Sequence, residues 1–246
     1  MKRTIAALVL VSVASVAACS SNSDGDNTGT GTCTAPGNSD SDAGTDVNPD
    51  GVAYPVPPAP ACYGRTARTG STPGSIIANF KFQGYVNGDV SQGLTTISLA
   101  DYYDPCNKRY KMIHLSVAAV WCVPCGQETD AFVAAQSSLA SQGIVVLQAL
   151  DDGPSEGMPA TVSDLQYWIM QHNSNFTEML DPGLTNFGGF FDAASVPWNA
   201  DLDPRTMELL DSSEGFSGSA QSEVQSGLSA MPATPSYPIP ASAGCN

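Results

Sequence analysis

The sequence predicts an α/β fold, a central mixed β-sheet flanked by helices with an N-terminal strand extension. Three observations predict it. Met112 to Val120 is a largely apolar run, broken only by His114 and Ser116, and has the length of a buried strand. Beyond Cys122-Val123-Pro124-Cys125 the period changes, and Phe132, Val133, Gln136 and Leu139 recur at helical spacing with Ala131, Ala134 and Ala135 between them. Gly143 then closes the helix, and Ile144 to Leu150 reads as a second buried strand.

The remaining elements follow in order. Met1-Lys2-Arg3 and the uncharged stretch Ile5 to Ala18 form a charged and then an apolar region, the pattern of a secretory signal over residues 1–18. That stretch is shorter than the roughly 20 residues of a membrane span. Residues 19–61 read as an acidic, disordered linker, because residues 20–60 hold six aspartates and no Lys, Arg or Glu. Its prolines at 55, 57, 58 and 60 stiffen its end. The aspartates do not form an EF-hand loop, so a solvated linker is expected there rather than a calcium site. Residues 62–246 are long enough for one well-cored domain. Within it, Leu165, Trp168 and Ile169 mark a helix over 164–171, Phe176 to Leu180 a short strand, and Asp181-Pro182-Gly183 a turn. The glycine-broken aromatic stretch 186–191 reads as a short helix or loop whose rings join the core. Residues 212–229 are only weakly helical.

The formal net charge is −15, and the basic residues never cluster, which disfavours nucleic-acid binding. No apolar stretch after residue 19 is long enough to cross a bilayer. Seven cysteines are present. Cys122 and Cys125 are neighbours, whereas Cys33, Cys62, Cys106 and Cys245 are dispersed. Secretion places them in an oxidising compartment, where these four become candidates for two structural disulfides with three possible connectivities.

The neighbouring pair has a specific chemistry. Cys122 falls at a helix N-terminus, where unpaired N–H groups and the helix dipole stabilise a thiolate and make it the expected nucleophile. Cys125, one turn on, is placed to resolve a mixed disulfide. Pro124 suits the first turn, where its missing N–H costs nothing.

Trp121-Cys122-Val123-Pro124-Cys125 resembles the Trp-Cys-x-x-Cys site of the thioredoxin superfamily. Proline before the second cysteine and Glu128 three residues after it resemble the membrane-anchored TlpA/redoxin-type members. Ile97-Ser98-Leu99-Ala100-Asp101-Tyr102-Tyr103 is similar to their Ser-Leu-x-Asp-Tyr segment. Ser195-Val196-Pro197-Trp198-Asn199 and the following Asp201 to Glu208 resemble their cis-proline, strand, turn and strand. The resemblance spans about residues 75 to 215, with the motifs in the family's order. It implies a thioredoxin-like fold, a catalytic Cys122 and Cys125, and Pro197 as a cis-proline whose neighbouring backbone docks substrate. Trp121 completes the motif, and Glu128 either tunes the second cysteine or is a solvated first-turn glutamate. One departure is that Ser116 stands where many thioredoxins carry a buried aspartate. His114 either substitutes for it as a proton carrier or is a core histidine with its bonds satisfied; the second reading is preferred.

Val16-Ala17-Ala18-Cys19 similarly resembles a lipobox, which implies acylation of Cys19. With Ser20 after it, the anchor points to the periplasmic face of the outer membrane. The function expected is a thiol–disulfide oxidoreductase of the cell envelope, a disulfide reductase in preference to an oxidase. It would act on protein disulfides or dithiols with a separate recycling partner, using no cofactor and no metal. The alternatives are a copper-handling lipoprotein using the pair with His114 or His172, a peroxidase, and a binding module with a static disulfide. The peroxidase reading lacks its threonine, since Ala119 holds that position.

Overall fold

A computed structural model describes residues 46–55, 72–192 and 194–245. The signal segment, Cys19, Cys33, Cys62 and the rest of the expected linker lie outside these residues. Among the described residues seven strands form one sheet in the order β2-β1-β5-β4-β3-β6-β7. They are β1 (Lys81–Tyr85), β2 (Thr95–Ser98), β3 (Met112–Ala118), β4 (Ile144–Leu150), β5 (Thr177–Leu180), β6 (Trp198–Asp203) and β7 (Glu208–Glu214). β3, β4 and β5 run parallel, and the other pairings are antiparallel. The mixed sheet and the N-terminal strand pair at its edge are the architecture that the sequence predicts.

Three helices, α1 (Val123–Ser141), α2 (Val162–His172) and α3 (Ala220–Ala230), complete the layers. Each begins with a side-chain cap: Cys122, Thr161 and Ser219 accept from the backbone N–H three residues on. α1 ends against Gly143, whose φ of +81° is the left-handed conformation that terminates helices. The strand expected over 176–180 and the helix over 164–171 are present as β5 and α2. In the weakly helical stretch 212–229, β7 continues to Glu214 and α3 follows.

All three helices lie on one face of the sheet. Met112 and Val146 on that face pack with Phe132 and Leu139 of α1, Phe176, and Ala220 and Val224 of α3. The opposite face presents Ile113, Leu115 and Val117 of β3 with Trp198, Ala200 and Leu202 of β6. Among the described residues no α-helix covers it. A short 3-10 turn, Leu99–Tyr102, and the aromatic loop after β5 do so instead. Phe187 is buried there, stacked on Phe82 and in contact with Trp198, and Phe191 stacks on Trp198 with centroids 5.2 Å apart.

Residues 46–55 correct the expected linker boundary. This segment is docked, with Val52 and Tyr54 in the core. Asn48 closes a turn by accepting from Asp50 and Val52, and donates to the Tyr103 carbonyl at 2.9 Å. Its aspartates also have partners: Asp46 pairs with Lys81 and Asp50 with Arg109. Composition averaged over the acidic stretch hid two apolar residues that reach the domain. Among the described residues no helix is long and apolar enough to cross a membrane.

Cys106 is bonded to Cys245, pinning the C-terminal tail to the loop before β3 across a sequence separation of 139. A crosslink closing so long a loop restricts the unfolded chain strongly. Cys106→Ser with Cys245→Ser should therefore lower unfolding free energy by about 4 kcal/mol, read from urea unfolding of oxidised parent and variant.

Candidate active site

The site forms where β3 ends and α1 begins. Cys122 is the N-cap of α1 in an extended conformation, and its Sγ accepts from the Cys125 N–H at 3.1 Å. Cys122 and Cys125 are joined as a disulfide. Both are buried, whereas Val123 between them is 72% exposed. Pro124 lies in the first helical turn. The Val196–Pro197 peptide is cis, and the Val196 carbonyl oxygen lies 3.5 Å from Cys122 Sγ. A loop 74 residues downstream thus places a backbone carbonyl against the sulfur. Trp121 is fixed from the other side by a hydrogen bond from its Nε1 to Asp152 at 3.3 Å. Next to Asp152, Asp151 is pushed up to about 7, chiefly by burial.

Beneath α1 runs a row of polar side chains, of which the sequence points only to Ser116. Strand register aligns Glu178 of β5, Gln148 of β4, Ser116 of β3 and Asn199 of β6. Register-paired residues point to the same face of a sheet, here toward the helices. Gln148 Oε1 accepts from Thr129 of α1 and from the Trp168 indole of α2, both at 2.9 Å. Its amide donates to Ser116 at 3.3 Å, and Ser116 donates to Glu128 at 3.5 Å. The signal in the sequence was a polar residue interrupting an otherwise apolar strand, as Gln148 does in Ile-Val-Val-Leu-Gln-Ala-Leu.

Glu128 is not a solvated first-turn glutamate. It is fully buried, and its Oε1 has no hydrogen-bond partner. Burial pushes its carboxyl well above the usual carboxylate range, and the Asn199 amide and Ser116 hydroxyl offset this only in part. Its contact with Ser116 brings a carboxyl from the helix toward the strand position where many thioredoxins carry an aspartate.

His114 is buried on the same face, 2.7 Å from Asp201 through Nδ1 and 3.2 Å from Asn199 through Nε2. With both nitrogens engaged, it is not available as the distant ligand of a copper site. His172 binds Asp130 through Nδ1 at 2.7 Å and lies against Trp168 with the ring planes tilted by 51°.

The fold is thioredoxin-like: a strand feeding a Cys-x-x-Cys helix, with a cis-proline loop facing the cysteines across the sheet. No family model matches the chain, and no curated protein does. Solved structures do resemble it. A candidate thiol:disulfide interchange protein DsbE from Chlorobium tepidum is 22% identical, with 65% of this chain and 99% of that one covered and a TM-score of 0.48. A secreted thiol-disulfide isomerase from Corynebacterium glutamicum is 16% identical, over 63% and 84% of the two chains, with a TM-score of 0.47. AhpC from Enterococcus faecalis is 13% identical, over 65% and 92%, with a TM-score of 0.49.

Two outcomes are expected from the buried row. Glu178 is fully buried and pushed up to about 8, above its ordinary 4.5. The unfolded chain releases this proton near 4.5 and the folded one near 8, so stability falls as pH rises between those values and levels off above them. Glu178→Gln should flatten that fall and raise the Tm at pH 8 by several degrees, measured by thermal melts across the range. On α3, a Cβ on Gly227 would lie 2.2 Å from the Asp201 carboxylate. Gly227→Ala should destabilise the fold by roughly 2–4 kcal/mol in urea unfolding, as overpacking at a fixed polar contact does.

Proposed function

We propose that this chain is an extracytoplasmic thiol–disulfide oxidoreductase that reduces disulfides in protein substrates and is held at the periplasmic face of the outer membrane through acylated Cys19. The observation that carries the reading is Cys122 Sγ at the N-terminus of α1, beside the Val196 carbonyl of the cis-proline loop. The helix end supplies a thiolate with an N–H donor and a favourable dipole. The open backbone at Val196 supplies an edge along which an extended peptide can lie.

In the reduced enzyme the Cys122 thiolate attacks one sulfur of a substrate disulfide. That S–S bond breaks, a mixed disulfide forms, and the other substrate sulfur leaves as a thiolate that takes a proton from water. The Cys125 thiol then loses its proton to the Glu128 carboxylate and attacks Cys122 Sγ. The second substrate sulfur departs with the electron pair, and the Cys122–Cys125 disulfide remains. Two electrons have passed to the substrate, and an envelope dithiol reductant must return them. Burial suits Glu128 to this role, because a carboxyl whose proton affinity is raised is a stronger base toward a thiol than an exposed carboxylate.

The test is a redox titration of residues 20–246, a span that retains the docked segment 46–55, with alkylation of Cys122 and Cys125 read by mass spectrometry. Reversible cycling between roughly −270 and −120 mV is expected. A pair that stays oxidised until the domain unfolds would make it a structural staple. Cys125→Ser should accumulate mixed disulfides that Cys122→Ser cannot form. Glu128→Gln should slow release of the mixed disulfide by about 10-fold or more while leaving its formation intact, followed by quenched-flow alkylation.

A further inference from the structure

Gln148 of β4 sits within the buried row, and its amide has a defined orientation. The Trp168 indole of α2 can only donate, and it lies 2.9 Å from one end of that amide, so this end is Oε1. The same oxygen faces the Thr129 hydroxyl of α1 at 2.9 Å. The other end, Nε2, therefore points at Ser116 Oγ of β3, 3.3 Å away, and an amide nitrogen can only donate. Ser116 accepts on one lone pair, which leaves its own proton to be donated. Glu128 Oε2 is the acceptor it reaches, at 3.5 Å. All five side chains belong to residues 2% exposed or less. The hydrogen bonds run one way, from α2 through two strands to the carboxyl on α1.

This polarity has two consequences for Glu128. A hydroxyl that donates favours the ionised carboxylate over the protonated carboxyl. A side-chain amide does not titrate, so no proton leaves through Gln148. With Oε2 engaged by Ser116 and Oε1 without a partner, Oε1 is the oxygen open to exchange. The other ionisable groups on this face have partners of their own or carry negative charge. His114 of β3 is bonded to Asp201 of β6, His172 of α2 to Asp130 of α1, and Glu178 of β5 to Ser174. Glu223 of α3 opposes ionisation of Glu128. Ser116 works in the other direction, and what aims its proton is the amide of Gln148.

We propose that Gln148, oriented by the Trp168 indole, is a positioning residue that holds Ser116 as a donor to Oε2 of Glu128 and so keeps that carboxylate ready to take the Cys125 proton on Oε1. Gln148 acts on the chemistry only through Ser116. The inference rests on the role given to Glu128 above, and it extends that role to residues on β4 and α2.

The experiment titrates the Glu128 carboxyl by carbon-13 NMR in the reduced full chain, with the signal assigned through Glu128→Gln. Gln148→Met nearly conserves volume and removes the donor to Ser116, whereas Ser116→Ala removes the hydroxyl itself. Each should raise the Glu128 midpoint by about half a pH unit, roughly a threefold gain in proton affinity. The double variant should match Ser116→Ala alone, because Gln148 has nothing to act through once the hydroxyl is gone. Trp168→Phe leaves Gln148 in place but frees its amide to turn, and it should raise the midpoint in the same direction. That variant and Ser116→Ala keep the test decisive if Gln148→Met does not fold. An unmoved midpoint in a folded variant, additive shifts in the double variant, or a Glu128 that stays protonated throughout the titration of the parent overturns the proposal. The titration requires no turnover. If Glu128→Gln releases the mixed disulfide at the parent rate, the proton step given to Glu128 falls, and the titration still decides whether Gln148 acts on that carboxyl.

Discussion

The burial of polar side chains under α1 is the constraint on which the rest of the site depends. A helix laid on a sheet usually meets it through apolar residues, yet here Glu128 and Thr129 of α1 point down into the interface. Burying such groups is costly unless they are hydrogen-bonded. The sheet answers with Ser116 and Gln148, and α2 adds the Trp168 indole. These contacts fix how α1 lies on the sheet, and with it the position of Cys122 at its N-terminus. Oε1 of Glu128 and Oε2 of Glu178 are left without hydrogen-bond partners, and Glu128 lies on the same helix as the cysteine pair.

The second half of the site is assembled from a distance. The aromatic loop after β5 packs Phe187, Phe190 and Phe191 around Trp198. That cluster leads into β6, so the same packing that fills the face without α-helices also sets the cis-proline loop beside Cys122. β6 then runs back under α1 and delivers Asn199 and Asp201 to the polar face while Trp198, Ala200 and Leu202 fill the other. Alternation along a strand lets one element serve the core and the site at once. α3 closes this region, and Gly227 permits the approach because its missing side chain leaves room for the Asp201 carboxylate.

Local patterns carried most of the fold. The apolar run of β3, the period change after Cys125, Gly143 at the helix end and the apolar run of β4 are all short-range signals, and each element lies where they place it. The edges of the domain were harder to read. Asp46 to Pro55 has the composition of a linker, but Val52 and Tyr54 gain a core to bury themselves in. Composition measures whether a segment can fold alone, not whether a finished domain will accept it.

The sequence by itself determined the layered α/β plan and the placement of a cysteine pair at a helix N-terminus, because periodicity, capping and helix dipoles act over a few residues. Only the tertiary structure decided that Glu128 is buried rather than solvated, that Cys106 meets Cys245, and which partners His114 takes. The His114 contacts span 85 and 87 residues of chain. Such pairs are set by strand register and helix packing across the whole sheet, and no local pattern specifies which distant side chain will complete a buried hydrogen bond.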